Sequence, residues 1–257
     1  MKFGSLFAGF DGLGWGLELA GMVCEWQVEI EEYARQILKQ RQPNVFQWDD
    51  IHTFPPKGWN RRVDLICGGD PCQENSNARQ RTGLESPSLG AEFIRVLDAL
   101  RPTYFLRENP SAVRSDAPWP WWRFRSSAES IGYVVLPFRV RACCLGADHQ
   151  RDRLFLLGEL PNSMQAGLER DVIAKVARTG GGEGIRDITR QDRRSTASRI
   201  CRASDGVPYW KHRIKGLGNA VDRRVGEFIG RAIMSSFYST EGSNHGFGNC
   251  KEVWPES

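Results

Sequence analysis

The chain has 257 residues, of which 40% are hydrophobic, 26% charged and 11% aromatic, with a formal net charge of +4. That composition excludes collagen-like, disordered and disulfide-scaffold classes and suits one domain of moderate size, with or without a small appendage. The mean hydropathy is −0.46, and no apolar run approaches the roughly 18 residues that a membrane span needs.

The first half alternates strand-like and helix-like stretches, the rhythm of a mostly parallel sheet covered by helices. Lys2 to Phe7 reads as a strand, Gly9 to Gly14 as a glycine-rich turn, and Trp15 to Ala20 as a helix start stopped by Gly21. Met22 to Glu29 is a second strand and Glu31 to Gln40 a second helix. Val63 to Cys67 follows as a short buried strand, then Leu89 to Leu100 as a helix and Thr103 to Leu106 as a strand. Ala128 to Ile131 ends a helix at Gly132, and Val134 to Val140 with Leu154 to Leu157 reads as a late antiparallel pair. The Trp119-Pro120-Trp121-Trp122 run reads as helix packing against the sheet rather than as a base-stacking platform. After Pro161 the periodicity breaks around Gly180-Gly181-Gly182, and order returns from Arg213, with a helix over about 224–237. These boundaries divide the chain into a catalytic α/β domain at 1–160, a small lobe at 161–207, a segment at 208–239 that completes the domain, and a loose tail at 240–257.

Charge is uneven. Between Pro161 and Lys215 lie twelve Lys/Arg against six Asp/Glu, an excess of +6 that leaves −2 for the remainder. A basic segment beside a near-neutral body suits a polyanion, although a solvated surface has the same signature. The seven cysteines include no C-x-x-C pair, and Cys143 and Cys144 are adjacent. Neither structural zinc nor a complete disulfide framework is expected, and a reducing compartment is the simpler setting.

Three loops carry candidate chemistry. Phe7-Ala8-Gly9-Phe10-Asp11-Gly12 sits between a strand and a helix, where glycines admit a ligand to the backbone and free N–H groups point outward. Glu29 ends the next strand, where a carboxylate can accept from ribose hydroxyls. Pro71-Cys72-Gln73 follows the third strand on a stiff loop, at the edge where doubly wound sheets place their chemistry. Glu108-Asn109 follows the next strand at the same edge, and Arg151 and Arg153, two apart on an extended segment, face one side.

In this order the motifs resemble the DNA cytosine-5 methyltransferase family, in a compact form like those of bacteriophages and prophages. The match runs through Phe7-Ala8-Gly9-x-x-Gly12, Glu29, Asp50-Ile51, Pro71-Cys72-Gln73, Glu108-Asn109, Arg151-x-Arg153 and Gly218-Asn219-Ala220-Val221. The resemblance implies a Rossmann-like α/β fold that uses S-adenosylmethionine, a mostly parallel sheet and a small basic recognition lobe. It implies the cofactor over Phe7 and Gly9, with Glu29 on its ribose, Asp50 and Ile51 at its adenine, and Asn219 and Val221 closing the pocket. Cys72 would attack C6 of a cytosine flipped out of duplex DNA, with Glu108 on the N3/N4 edge and Arg153 on O2. Arg151 would hold a phosphate or the Glu108 carboxylate, while Pro71, Gln73 and Asn109 would touch substrate.

No metal is expected. The implied setting is the cytoplasm of a bacterial or phage-infected cell, as a monomer, in the context of restriction–modification. A tRNA cytosine-5 methyltransferase and a catalytically inactive DNA-binding relative are the alternatives. The chain departs from the family pattern at Asp70, where an uncharged residue is usual, at Pro110 after Glu108-Asn109, and at Asp222-Arg223. The short lobe at 161–207 predicts relaxed target specificity of about two or three bases, since each rigidly held major-groove contact supplies about 1–3 kcal/mol of discrimination.

Overall fold

The computed structural model describes residues 1–56, 62–70, 88–110, 121–147, 152–161 and 220–241, with the backbone alone at 110 and 236–241. Seven strands form one sheet: β1 (Lys2–Leu6), β2 (Val23–Val28), β3 (Phe46–Trp48), β4 (Leu65–Gly68), β5 (Tyr104–Pro110), β6 (Val134–Arg141) and β7 (Asp152–Glu159). Their order across the sheet is β3-β2-β1-β4-β5-β7-β6. β1 to β5 run parallel to one another, and β7 runs antiparallel between β5 and β6. The order reverses between β1 and β4, so loops leaving the carboxyl ends of these strands open into the crevice where such sheets bind ligands.

Among the described residues five helices cover the sheet: α1 (Gly12–Leu19), α2 (Glu32–Arg41), α3 (Leu89–Leu100), α4 (Trp121–Ser130) and α5 (Arg223–Glu241). Leu65 to Gly68 are buried throughout, as a strand covered on both faces requires. On one face Phe3, Leu65, Leu106 and Phe155 pack with Leu13 and Leu17 of α1 and with Val225, Ile229 and Ile233 of α5. On the other, Ile66, Phe105 and Leu156 pack with Phe93, Val96 and Leu97 of α3 and with Phe124 and Ala128 of α4. The buried positions of α3 recur at helical spacing, and the Ser88 side chain caps its first turn by accepting from the Ala91 N–H at 3.2 Å.

The strand and helix expectations agree with the fold, with informative differences. β5 runs on to Pro110, so Glu108 and Asn109 lie within a strand rather than after one. The reason is β7, whose backbone pairs with β5 as far as Pro110 opposite Arg153. The three-residue β3 is too short to show a period, and it pairs with β2 only through Trp26, Gln27 and Val28. In the Trp119–Trp122 run, Trp121 packs against the core and Trp122 is exposed at the start of α4; Trp119 and Pro120 lie outside the described residues.

The C-terminal helix α5 packs tightly on α1. A Cβ at Gly16 would stand 2.3 Å from the Arg223 carbonyl oxygen, and one at Gly226 would stand 2.6 Å from that of Leu13. Asp222 starts α5 by accepting from the Arg224 N–H at 3.0 Å, which gives the Asp222-Arg223 departure a capping role. Gly16→Ala is therefore expected to lower stability by about 1–3 kcal/mol by overpacking. The helix-propensity gain of at most about 1 kcal/mol is smaller than that cost. Denaturant unfolding of the pair of proteins checks the sign.

Candidate active site

The loop after β1 is built from left-handed backbone. Phe7, Gly9 and Asp11 have φ of 53°, 56° and 52°. At the two non-glycine positions this costs about 1–3 kcal/mol each, strain that characterises ligand loops. Asp11 offsets part of it locally. Its buried carboxylate accepts from the Gly14 N–H (3.0 Å), the Ser5 hydroxyl (2.9 Å) and the Gln27 amide (2.8 Å), with the Arg41 guanidinium at 3.7 Å. Burial nonetheless pushes the Asp11 carboxyl above the ordinary range, against the pull of Arg41 and these hydrogen bonds.

Glu29, just past β2, ties this loop to the sheet. Its carboxylate accepts from the Gly9 N–H at 2.6 Å and from the Glu31 N–H at 2.8 Å. It is mostly buried, and burial raises its pKa more than the two N–H donors lower it. Among the described residues nothing stands within 4 Å of where a Gly9 side chain would project, so the backbone there is open to a ligand. Ile30, beside Glu29, is exposed and apolar. Val221 lies on the same side: a Cβ at Gly12 would meet its carbonyl oxygen at 2.1 Å.

Asp50 accepts from the His52 N–H at 2.9 Å. The Ile51 side chain is buried in the core, and its carbonyl accepts from Arg95 at 2.6 Å. Any contact of this pair with a bound nucleoside therefore falls to the Ile51 N–H or to Asp50.

At the ends of β4 and β5 two further carboxylates are held on opposite faces of the sheet. Glu108 and Arg153 are diagonal neighbours across the β5–β7 ladder, and Arg153 Nε stands 2.7 Å from Glu108 Oε1 as an ion pair. The Glu108 carboxylate also lies over the end of β4: a Cβ at Gly69 would be 2.6 Å from its Oε2. Only glycine permits that approach, three residues before Cys72 in the chain. The neighbouring residue, Arg107, points to the other face and grips Asp70 through a two-pronged contact. Asn109 is buried beside them.

The structure thus brings together Phe7, Gly9, Glu29 and Val221 at one end of the crevice, and Glu108 and Arg153 at the other, with Asn109 next to Glu108 in β5. Cys72, Pro71, Gln73, Arg151 and Asn219, with the basic lobe at 161–207, lie outside the described residues. Among the described residues Arg153 pairs with Glu108; Arg151, for which the resemblance implies a phosphate or the Glu108 carboxylate, lies outside them. The Asp70–Arg107 and Asp11–Gln27 contacts have no sequence signal, because they join residues 37 and 16 apart with no motif between them. Among the described cysteines, Cys24 and Cys67 are buried, and burial pushes both thiols well up, which makes them inert. Among the described residues no cluster of His, Cys, Asp and Glu is arranged to hold a metal ion, and no helix is long and apolar enough to cross a membrane.

Known proteins resemble this chain in sequence and in fold. Residues 1–194 match the family of C-5 cytosine-specific DNA methylases. Among curated relatives, the Type II methyltransferase M.PspPI of Psychrobacter is 33% identical over 159 residues, covering 60% of this chain and 38% of that protein. The Type II methyltransferase M.CviJI of a Paramecium bursaria Chlorella virus is 30% identical over 154 residues, 59% of this chain and 41% of that one. The chain therefore spans about two fifths of the length of these relatives. Among solved structures, Spodoptera frugiperda DNMT2 superposes with a TM-score of 0.53 at 21% identity, over 64% of this chain and 51% of that one. The S. pombe Dnmt2 methyltransferase gives 0.51 at 18%, over 62% and 51%. With its Rossmann-like sheet and the family match across residues 1–194, the chain belongs to the C-5 cytosine-specific DNA methylase family.

Proposed function

We propose that this protein transfers a methyl group from S-adenosylmethionine to C5 of cytosine in duplex DNA, with Cys72 as the covalent nucleophile. The observation that carries the reading is the placement of Glu108. Its carboxylate is held by Arg153 and lies against Gly69, so a carboxyl group and an arginine stand at the root of the segment that carries Cys72.

The residues around Gly9 fit the methyl donor. An open, left-handed glycine, a carboxylate at the tip of β2 and an exposed aliphatic side chain beside it match a ribose and an adenine ring. Glu29 would hold the ribose while fixing Gly9, and Val221 and Asn219 would flank the loop. When bound, S-adenosylmethionine supplies an electrophilic sulfonium methyl.

The chain's own residues would prepare the acceptor. Cytosine C5 is a weak nucleophile, and its face is covered by stacking in the duplex, so the base must be flipped out. The Cys72 thiolate would bond to C6, which breaks the ring's aromaticity and moves electron density onto C5. Glu108 would hydrogen-bond the N3/N4 edge and stabilise the charge that develops there. Arg153 would grip O2 while steadying Glu108, and Pro71, Gln73 and Asn109 would line the base. Once C5 has taken the methyl, which leaves S-adenosylhomocysteine behind, loss of the C5 proton to a base or to water would expel Cys72.

Glu29→Ala is expected to weaken S-adenosylmethionine binding about 10- to 100-fold, the worth of hydrogen bonds to a charged group, and to leave DNA affinity nearly unchanged. Isothermal calorimetry with the cofactor, and separately with a duplex, checks both halves.

The basic lobe at 161–207 would contact phosphates more than base edges. Arg193→Ala with Arg194→Ala should weaken all duplexes alike and flatten the salt dependence, read by anisotropy titrations at several salt concentrations.

The activity itself is tested by incubating the protein and methyl-labelled S-adenosylmethionine with duplex DNA or with tRNA transcripts, then identifying the labelled nucleoside. Label recovered as 5-methyldeoxycytidine supports the reading. Label confined to tRNA overturns the substrate, and the absence of label from both overturns the activity.

A further inference from the structure

We infer that the buried Asp70–Arg107 pair is a positioning device for Cys72, an inference that rests on the assignment of Cys72 as nucleophile. Gly68, the last residue of β4, stands in register with Arg107 of β5, and Asp70 lies two residues beyond it. The Asp70 carboxylate turns back onto β5, accepting from Arg107 Nε at 2.6 Å and from a terminal guanidinium nitrogen at 2.7 Å. The Arg107 and Asp70 side chains are 1% and 9% exposed, so water contributes little to holding them.

The Arg107 guanidinium is itself fixed. Its carbon stands 4.2 Å from the centre of the Phe124 ring on α4, and Phe124 packs edge-on against Phe93 of α3 and Phe105 of β5. Its remaining terminal nitrogen, Nη1, has no hydrogen-bond partner among the described residues. The pair therefore clamps the chain at Asp70 to the sheet, in a fixed direction, one residue before Pro71 and two before Cys72.

Stability alone does not account for such a pair. An apolar pair of similar volume would hold the same space at equal or lower free energy, because burying two charges costs about what their attraction returns. A forked, planar contact does provide something an apolar contact lacks: one allowed orientation. It also turns the Asp70 charge toward a cation on the face of the sheet opposite Glu108. Nucleophilic attack is sensitive to that orientation, since a displacement of about 1 Å costs on the order of 100-fold in rate.

The test measures attack without the methyl donor. Thiolate addition at C6 lets C5 take a proton from water and release a tritium placed there, after which the thiolate leaves, so tritium from cytosine-labelled duplex DNA passes into water. The rate is expressed per folded protein, with thermal midpoint and cofactor affinity measured alongside. Arg107→Met is expected to slow exchange about 30- to 100-fold with cofactor affinity unchanged, and Arg107→Lys, which keeps the charge and loses the fork, to fall between. The double variant Asp70→Ala/Arg107→Met removes both buried charges. It should regain much of the thermal midpoint lost by the single variant while exchange stays at least about ten-fold slow.

Exchange at the wild-type rate in the double variant would show that the pair only supports the fold, and that result stands even where Arg107→Met alone does not fold. Exchange by the wild-type protein no faster than by Cys72→Ser would instead remove the nucleophile assignment, and this inference with it.

Discussion

Replacing Cys72 by serine is expected to reduce methylation of duplex DNA by at least about 1,000-fold while leaving S-adenosylmethionine affinity and thermal midpoint close to wild type. The size follows from the chemistry. A serine hydroxyl is almost wholly protonated at neutral pH, whereas a thiol ionises within reach of it and is intrinsically the better nucleophile toward C6. Removing a group that bonds to the substrate removes a step, and such losses are far larger than those of binding contacts. Cys24 and Cys67 provide the contrast. Both are buried with thiols pushed well up, so alanine at either position should leave the rate per folded molecule unchanged. Single-turnover kinetics with labelled cofactor measures all three variants on one scale.

The second large effect is expected at Glu108. Glu108→Gln keeps the shape of the side chain and removes the carboxyl that would balance charge on the cytosine ring, and the rate should fall about 100- to 1,000-fold. Arg153→Met acts differently. It leaves the mostly buried Glu108 carboxylate without the guanidinium that stands 2.7 Å away, and so should cost stability, about 3 kcal/mol, as well as rate. Stopped-flow or quench measurements beside denaturant unfolding separate the two: a variant that loses rate at constant stability marks Glu108, and one that loses both marks Arg153.

Much of the fold is legible in the sequence because the strands and helices carry strong local signals. Leu65 to Gly68 is a continuous buried run, and the helix over Leu89–Leu100 has a serine cap and apolar residues at helical spacing. The features that sequence does not reveal are set by neighbours in space. β5 extends to Pro110 only because β7 pairs with it, and β3 is a three-residue edge segment without a period.

The candidate site divides the same way. Motif order marks Gly9, Glu29 and Glu108, and the structure ties Gly9 to Glu29 and Glu108 to Arg153. No motif marks Asp70 with Arg107, because the pair joins a loop to a strand 37 residues later. Asp70, a departure from the family pattern beside the proposed nucleophile, becomes intelligible only when its carboxylate is seen turned onto Arg107.

A covalent bond between Cys72 and the base is the central claim, and it can be trapped. Duplex DNA carrying 5-fluorocytosine, incubated with the protein and S-adenosylmethionine, should give a denaturation-resistant complex, because fluorine at C5 cannot leave as a proton does. Proteolysis and mass spectrometry of that complex should locate the nucleotide on the peptide containing Cys72. A complex attached through Cys143, Cys144 or any residue other than Cys72, or no covalent complex from a preparation that methylates DNA, would contradict it.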